Sequence, residues 1–266
     1  MGITWVDDES FDVENKRVFC RVDFNVPLDG GRVSDDERIR ASLPTIKLLL
    51  EKGARVMLAS HLGRPKGKAK KEFSLEPVAE HLSTLLAREI LFADDCVGDG
   101  VKHLASNLKP GQVLVLENLR FHPGEEKNDE GFARMLAENA DVYVNDAFGA
   151  AHRAHASTAG VAEILEQKAG GLLMRKEVEA LSALLKSPQK PFAAVLGGAK
   201  VSDKVQVLSK LLDKVERMLI GGAMACTFFR AQGLETGKSL VEPDRVDLAK
   251  HLASRSGKKR ALCPNV

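Results

Sequence analysis

The sequence has little aromatic surface. Phe, Tyr and Trp make up 5% of its 266 residues, with a single Tyr and a single Trp. Proteins that grip single-stranded nucleic acid stack bases on rings along a basic groove, and few rings are available here. Excess charge is also lacking. The formal net charge is +2, so the chain as a whole is no polyanion binder, and any affinity for anions must come from local clustering. One basic run, RPKGKAKK at 64–71, has no interleaved aromatics and reads as a solvated loop. No nucleic-acid partner is expected.

Paired cysteines and long apolar runs are missing too. The four cysteines, Cys20, Cys96, Cys226 and Cys263, are far apart and form no CxxC pair. That spacing argues against a zinc ribbon or a disulfide framework. Cys20 and Cys226 lie in apolar runs and read as buried reduced thiols, which fits a cytoplasmic protein. The first ten residues, MGITWVDDES, are acidic and carry no apolar segment. No signal peptide, membrane span or membrane partner is expected. There is no repeat of solenoid period and no low-complexity tract.

What is present is ordinary globular material: 44% apolar and 29% charged residues, in a length that suits one large domain or two smaller ones. Apolar, β-branched runs recur at 17–22, 55–60, 112–116 and 141–144. Segments of helical period lie between them at 39–52, 75–88 and 130–140. Short apolar runs alternating with amphipathic helices predict an α/β fold with a parallel sheet covered on both faces. A second series follows, with strands at 192–198 and 217–222 and in KRALCPNV at the end, and helices at 202–212, 224–232 and 243–256. Between the series, GGLLMRKEVEALSALLKSPQKP starts after Gly170-Gly171 and stops at Pro188. It reads as a helix joining two α/β domains. The expected division is a first domain at 1–170, a linker helix and hinge at 171–190, and a second, partial domain at 191–266.

Ligands of open α/β sheets bind beyond the carboxyl ends of the strands. The first four strands are followed there by Asp23 and Asn25, by His61 and Arg64, by Arg120, and by Arg153 in VNDAFGAAHRAHAS. Arg38 sits just before the next helix and could reach the same side. Taken singly, each has a bland reading. A His after a strand is usually structural, an Arg is usually solvated, and Asp and Asn form turns. His152 and His155 read as supporting residues. Recurrence on successive strand ends outweighs these separate readings. Arginine forks pair bidentately with carboxylate or phosphate, so the rim predicts a small, multiply charged substrate, with Asp23 accepting from a hydroxyl. The small residues between Asn145 and His155 would let a partner approach the backbone closely.

In the second series the strand ends are glycine-rich, LGGAKVSDK and IGGAMACTFF. Glycines let backbone pass close to a ligand, and a following helix offers free N–H groups to phosphate. Lys200 and Lys204 are four apart and would share a helix face. This is neither a Walker loop nor GxGxxG. GDG at 98–100 lacks the third glycine and a convincing preceding strand.

The stretches RVDFNVPL, SHLGRP, ENLRFHPGEEKN, VNDAFGAAHRAHAS, LGGAKVSDK and IGGAMACTFF, in this order, resemble the phosphoglycerate kinase family from about residue 6 onward. The resemblance implies two Rossmann-like domains joined by a helix and hinge, in a cytosolic monomer. It implies phosphoryl transfer between 1,3-bisphosphoglycerate with ADP and 3-phosphoglycerate with ATP, with Mg²⁺ accompanying the nucleotide. Carried over residue by residue, Asp23, Asn25, Arg38, His61, Arg64, Arg120 and Arg153 would hold the phosphoglycerate. Gly198, Lys200, Lys204, Gly221 and Gly222 would line the nucleotide site. Arg38, Lys200 and Lys204 would act on the transferring group. Ala223 stands where many members have a third glycine. The resemblance also implies a continuation past residue 266, with the rest of the nucleotide domain and its metal-linked aspartate. The second domain is therefore expected to be incomplete, with weak nucleotide binding and little turnover. The alternative expectation is a non-enzymatic module that binds small phosphorylated acids.

Overall fold

The computed structural model describes residues 2–255 and 262–264. Contacts divide the chain into two units, Met1–Val178 and Glu179–Val266, and the division falls inside one helix.

The first unit is built on a six-stranded sheet of β1 (Arg17–Arg21), β4 (Arg55–Ala59), β5 (Ile90–Phe92), β6 (Val113–Val115), β7 (Val142–Asn145) and β8 (Lys168–Gly170), in the order β5-β6-β4-β1-β7-β8. Every pairing is parallel. Between β1 and β4 the chain makes a small antiparallel hairpin, β2 (Leu28–Asp29) with β3 (Arg32–Val33). Parallel neighbours need crossovers, and the helices supply them: α1 (Glu37–Glu51), α2 (Glu76–Leu86), α3 (Asp99–Asn107), the single turn α4 (Pro123–Glu126), α5 (Glu130–Ala137), and the short α6 (Phe148–Ala151) and α7 (Val161–Ile164).

Alternation along the strands separates two cores. Val18, Cys20, Val56, Leu58, Val142 and Val144 face a cluster with Ile46 and Leu49 of α1 and Val78 and Leu82 of α2. Phe19, Met57, Leu114 and Tyr143 face the other side, against Ala105 of α3, Phe132 and Leu136 of α5 and Val161 of α7. This matches the α/β expectation of a sheet buried on both faces. α1 continues through Pro44 because Ile39, Thr45, Ile46 and Leu49 stay buried on one stripe.

α8 (Leu172–Lys186) leads into the second unit. There β9 (Ala193–Gly197), β10 (Arg217–Gly221) and β11 (Leu262–Pro264) form a parallel sheet in the order β11-β10-β9. Leu208 and Leu212 of α9 (Val205–Leu212), Phe228 of α10 (Met224–Ala231) and Leu252 of α11 (Val246–Arg255) pack on one face with Ala194, Met218 and Ile220. Of the last expected strand, only Leu262–Pro264 is described; the rest of KRALCPNV and the expected helix end at Ser256 lie outside the described residues.

Sequence reading overlooks β5, β8, the hairpin and α3. β5 and β8 are three residues each, and β5 is only half buried, so neither makes a periodic run. GDG at 98–100 turns out to be a helix start: Gly98 is the N-cap of α3, and a loop separates it from β5.

Candidate functional site

In strand order, β1 lies between β4 and β7, and the chain leaves β1 for β4 on one side and later returns to β7 on the other. The crevice beyond the carboxyl end of β1 is thus the switch point where a ligand site is expected. Asp23 and Asn25 follow β1 directly. The Asp23 carboxylate accepts from the Arg38 guanidinium at 3.1 Å and from the backbone N–H of Asn25 at 3.3 Å. Asn25 Oδ1 accepts from Gly63 N at 2.9 Å, tying the β1 loop to the loop after β4. Arg38 lies inside the first turn of α1 rather than before it. A cavity of about 370 Å³ is lined by Asp23, Arg38, Phe148 and Gly149 among others. A Cβ added at Gly149 would come 2.9 Å from Asp23 Oδ2, so one of the small residues in the segment after β7 is required by close approach. A larger groove, of about 580 Å³, lies beside α5 and α7 and contains none of the rim residues.

The loops after β4 and β6 hold each other. Asn118 Nδ2 donates to Leu62 O at 2.7 Å and to Phe73 O at 2.9 Å, and its Oδ1 accepts from Arg120 N at 3.0 Å. Arg120 is buried; it donates to Gly63 O at 2.8 Å and faces Glu126 Oε1 at 3.2 Å. Burial, ahead of nearby charges, lowers its pKa. His61 is buried as well, and its pKa falls to about 2 through burial and then the positive charges of Arg21, Arg120 and Arg153. Arg153 is exposed, yet close enough to act on both His61 and Arg120. Arg64 is exposed. Thus His61, Arg120 and Arg153 come together electrostatically, while Asp23, Asn25 and Arg38 form a hydrogen-bonded group on the same rim.

Under this rim lies a buried charge network that sequence reading missed. Arg21, the last residue of β1, is fully buried. Its Nε donates to Ser157 Oγ at 2.9 Å, one terminal nitrogen donates to Val22 O, and the other donates to His61 Nδ1 at 3.1 Å. Glu125, also fully buried, accepts from Ser157 N at 3.0 Å and from Ser157 Oγ at 2.6 Å. Desolvation pulls the Glu125 pKa up, but His155, Arg21 and Ser157 outweigh it and hold the carboxyl below its usual value. The His155 Nδ1–Glu125 distance is 3.7 Å, too long for a hydrogen bond. The signal is an arginine that closes β1, RVFCR, directly after the apolar residues Val18, Phe19 and Cys20.

In the second unit the two glycine loops touch. Gly197 and Gly221 are register partners at the ends of β9 and β10, and Met224 N donates to Gly198 O at 2.9 Å. Gly222 has φ +69°, and a Cβ there would fall 2.8 Å from Gly198 O; only glycine fits this approach without strain. Lys204 Nζ donates to Gly197 O. Two expectations need correction. Lys200 is exposed in the loop before the helical turn at Ser202–Lys204, so it shares no helix face with Lys204. The N–H groups at that turn are not free, because Val201 N and Ser202 N donate to Glu242, whose Oε1 also accepts from Ser202 Oγ at 2.6 Å. Among the described residues, the one cluster of three possible metal ligands is Asp95, Cys96 and His122 in the first unit. No helix of the described residues is long and apolar enough to cross a membrane.

Comparison with known proteins bears on the family and the fold. A phosphoglycerate kinase from Anaeromyxobacter sp. (strain Fw109-5) is 61% identical over 251 residues, covering 93% of this chain and 63% of that protein. The one from Moorella thermoacetica is 60% identical, covering 94% and 64%. The solved phosphoglycerate kinase from Coxiella burnetii superposes with a TM-score of 0.83 at 44% identity, covering 98% of this chain and 66% of that one. That from Pyrococcus horikoshii gives 0.80 at 35%. The chain therefore spans roughly 63% of the length of the curated relatives it matches. The sequence profile described as "Phosphoglycerate kinase" matches residues 8–264, and the chain belongs to the phosphoglycerate kinase family.

Proposed function

We propose that the protein transfers a phosphoryl group reversibly between 1,3-bisphosphoglycerate with ADP and 3-phosphoglycerate with ATP, and that the first unit binds the phosphoglycerate. The observation that carries this reading is the gathering of His61, Arg120 and Arg153 beside Asp23, Asn25 and Arg38 on one strand-end rim. A hydroxylated three-carbon acid that carries both a phosphate and a carboxylate needs such a set: cations for the two anionic groups, and an acceptor for its hydroxyl.

Phosphoryl transfer asks little covalent chemistry of a protein. It needs in-line placement, exclusion of water and positive charge on the equatorial oxygens. In this reading His61, Arg64, Arg120 and Arg153 hold the substrate phosphate. Asp23 and Asn25 orient the hydroxyl and carboxylate. Arg38, now paired with Asp23, turns to the group in transit. Gly198, Gly221 and Gly222 let the backbone approach the nucleotide, and Lys200 and Lys204 face its phosphates. Mg²⁺ enters with the nucleotide as part of the substrate. Domains at 1–170 and 191–266 close on a hinge within 171–190, in a cytoplasmic monomer.

Calorimetric titration with 3-phosphoglycerate tests the reading. Saturable binding at one site is expected, weakened by salt and by Arg120→Ala. Absence of binding would refute the first unit's role. A coupled assay with 3-phosphoglycerate and Mg-ATP tests turnover, and full activity in an Arg38→Ala variant would refute the role given to Arg38.

A further inference from the structure

The ring of His61 has its donor and acceptor assigned by its neighbour. A guanidinium nitrogen can only donate. Arg21 reaches His61 Nδ1 at 3.1 Å, so Nδ1 must offer a lone pair. The imidazole is then neutral, and its single proton sits on Nε2. Nε2 has no hydrogen-bond partner among the described residues, so that proton is left for a ligand oxygen.

Arg21 is held in turn by groups whose direction is also set. Ser157 has one hydroxyl proton, and Glu125 Oε1 at 2.6 Å is an acceptor for it. Ser157 Oγ can therefore only accept from Arg21 Nε, which lies 2.9 Å away. The backbone N–H of Ser157 fixes the other Glu125 oxygen at 3.0 Å. From Glu125 to His61 every hydrogen bond has one possible polarity.

We infer that Glu125, acting through Ser157 and Arg21, is a positioning residue that holds His61 as a neutral Nε2–H donor for an anionic ligand at the strand-end rim. The ligand class, a phosphate- or carboxylate-bearing acid, rests on the function proposed above; the state of the ring does not. The charges facing His61 make the device necessary. Arg120 and Arg153 lie on other loops, His155 on the segment after β7, and Arg21 beneath, and all four oppose a second proton on the ring. A neutral donor contributes a hydrogen bond without adding to that crowding. Glu125 supplies the negative charge that lets a fully buried Arg21 remain where it orients the ring. A role confined to stability would leave the ring's tautomer untouched.

Ring-nitrogen NMR on the full chain, together with calorimetric titration of 3-phosphoglycerate, tests this. In the unsubstituted protein His61 should show the Nε2–H tautomer and no protonation between about pH 5 and 8. In Ser157→Ala and Glu125→Gln the ring should show mixed tautomers or a titration within that range. Affinity for 3-phosphoglycerate should fall by about tenfold, the size of one lost hydrogen bond to a charged group. Ser157→Thr, which keeps the hydroxyl, should restore both. If Glu125→Gln does not fold, Ser157→Ala carries the test alone. A folded Ser157→Ala protein with an unaltered His61 tautomer would overturn the inference. If the unsubstituted protein binds no 3-phosphoglycerate, the proposed function fails, and the tautomer comparison still decides the role of Glu125.

Discussion

In the six-stranded sheet, neighbouring residues of β1 enter different cores: Val18 and Cys20 one, Phe19 the other. In the three-stranded sheet, Ala194 is buried against helices while Val195, next to it, is 78% exposed. The sites differ in the same way. In the first unit two cations are buried and held: Arg21 by the Ser157 hydroxyl, the Val22 carbonyl and His61 Nδ1, and Arg120 by the Gly63 carbonyl and Glu126. In the second, Lys200 is exposed, and the geometry at the loops depends on glycines. A sheet covered on both faces can support a buried ionic network because the packing fixes every partner. In the second unit Lys200 stands in solvent, while the Lys204 and Glu242 side chains bond to nearby backbone and a serine hydroxyl at the surface of a single core. The first arrangement is expected to make binding depend on residues far from the ligand; the second is not.

The sharpest way to break this contrast is Glu125→Ala. It removes the buried carboxylate that accepts both Ser157 bonds and whose charge acts on Arg21, and removing one member of a buried ionic group costs about 3–5 kcal/mol. Urea unfolding of the first unit should show a loss of that size, and an unchanged midpoint would mean that the network bears no load. Next in size is Arg120→Ala. Truncating a buried, hydrogen-bonded charge at an interface costs about 2–5 kcal/mol, so 3-phosphoglycerate affinity should drop at least about thirtyfold. Lys200→Ala, in the exposed loop of the second unit, should leave that affinity unchanged. Equal losses in the two variants would erase the distinction between held and solvated cations.

What could be foreseen from residues follows the same division. The strands were legible because both-face burial demands unbroken apolar runs such as VMLA in β4, and the rim residues because they follow those runs. Arg21 hid inside such a run. Its partners Ser157 and Glu125 are 136 and 104 positions away, so the network exists only once β1, α4 and the segment after β7 are assembled. In the second unit the four-residue spacing of Lys200 and Lys204 suits one helix face, but Lys200 lies in the loop before the helical turn. The helix begins later because Glu242, some forty residues on, takes the N–H groups of Val201 and Ser202. No local pattern announces an acceptor at that distance.

A smaller effect is expected at Asp146, which caps the helix that leads out of the first unit. Asp146 is fully buried after β7; its Oδ1 accepts from Leu173 N at 2.9 Å and Met174 N at 3.2 Å, capping α8. Burial nevertheless raises its pKa to about 6, against the lowering effects of Thr45 and those two N–H groups. The unfolded chain loses this proton near the ordinary aspartate value of 3.8, whereas the folded protein keeps it up to about 6. The folded state therefore binds more protons across that window, and this group's contribution to stability falls as pH rises from about 4 to 6. His61 acts in the opposite sense: its depressed pKa removes stability as pH drops below about 6.5. The two are separated by difference. Asp146→Asn keeps an acceptor for both N–H groups and lacks the titration. Relative to the unsubstituted protein it should gain stability from pH 4 to 6, levelling off at about 1–3 kcal/mol. A flat difference would show that the cap, rather than burial, sets the carboxyl's charge.

The smallest effect should come from Val195→Thr on β9. Threonine keeps the β-branch that suits an extended backbone, so the substitution changes only the apolarity of a side chain that is already 78% exposed. A position with so little burial should respond within about 0.5 kcal/mol. The comparison between the sheets turns on this near-silence, because any valine pointing into either core of the first unit would lose a methyl's worth of packing and leave a hydroxyl unpaired. A cost above about 1 kcal/mol at Val195 would mean that its face is covered in solution. Dilution then identifies the cover. A cost that vanishes at low protein concentration comes from a second copy seated on the sheet. One that persists comes from within the chain, and the second unit would then bury its sheet on both faces like the first.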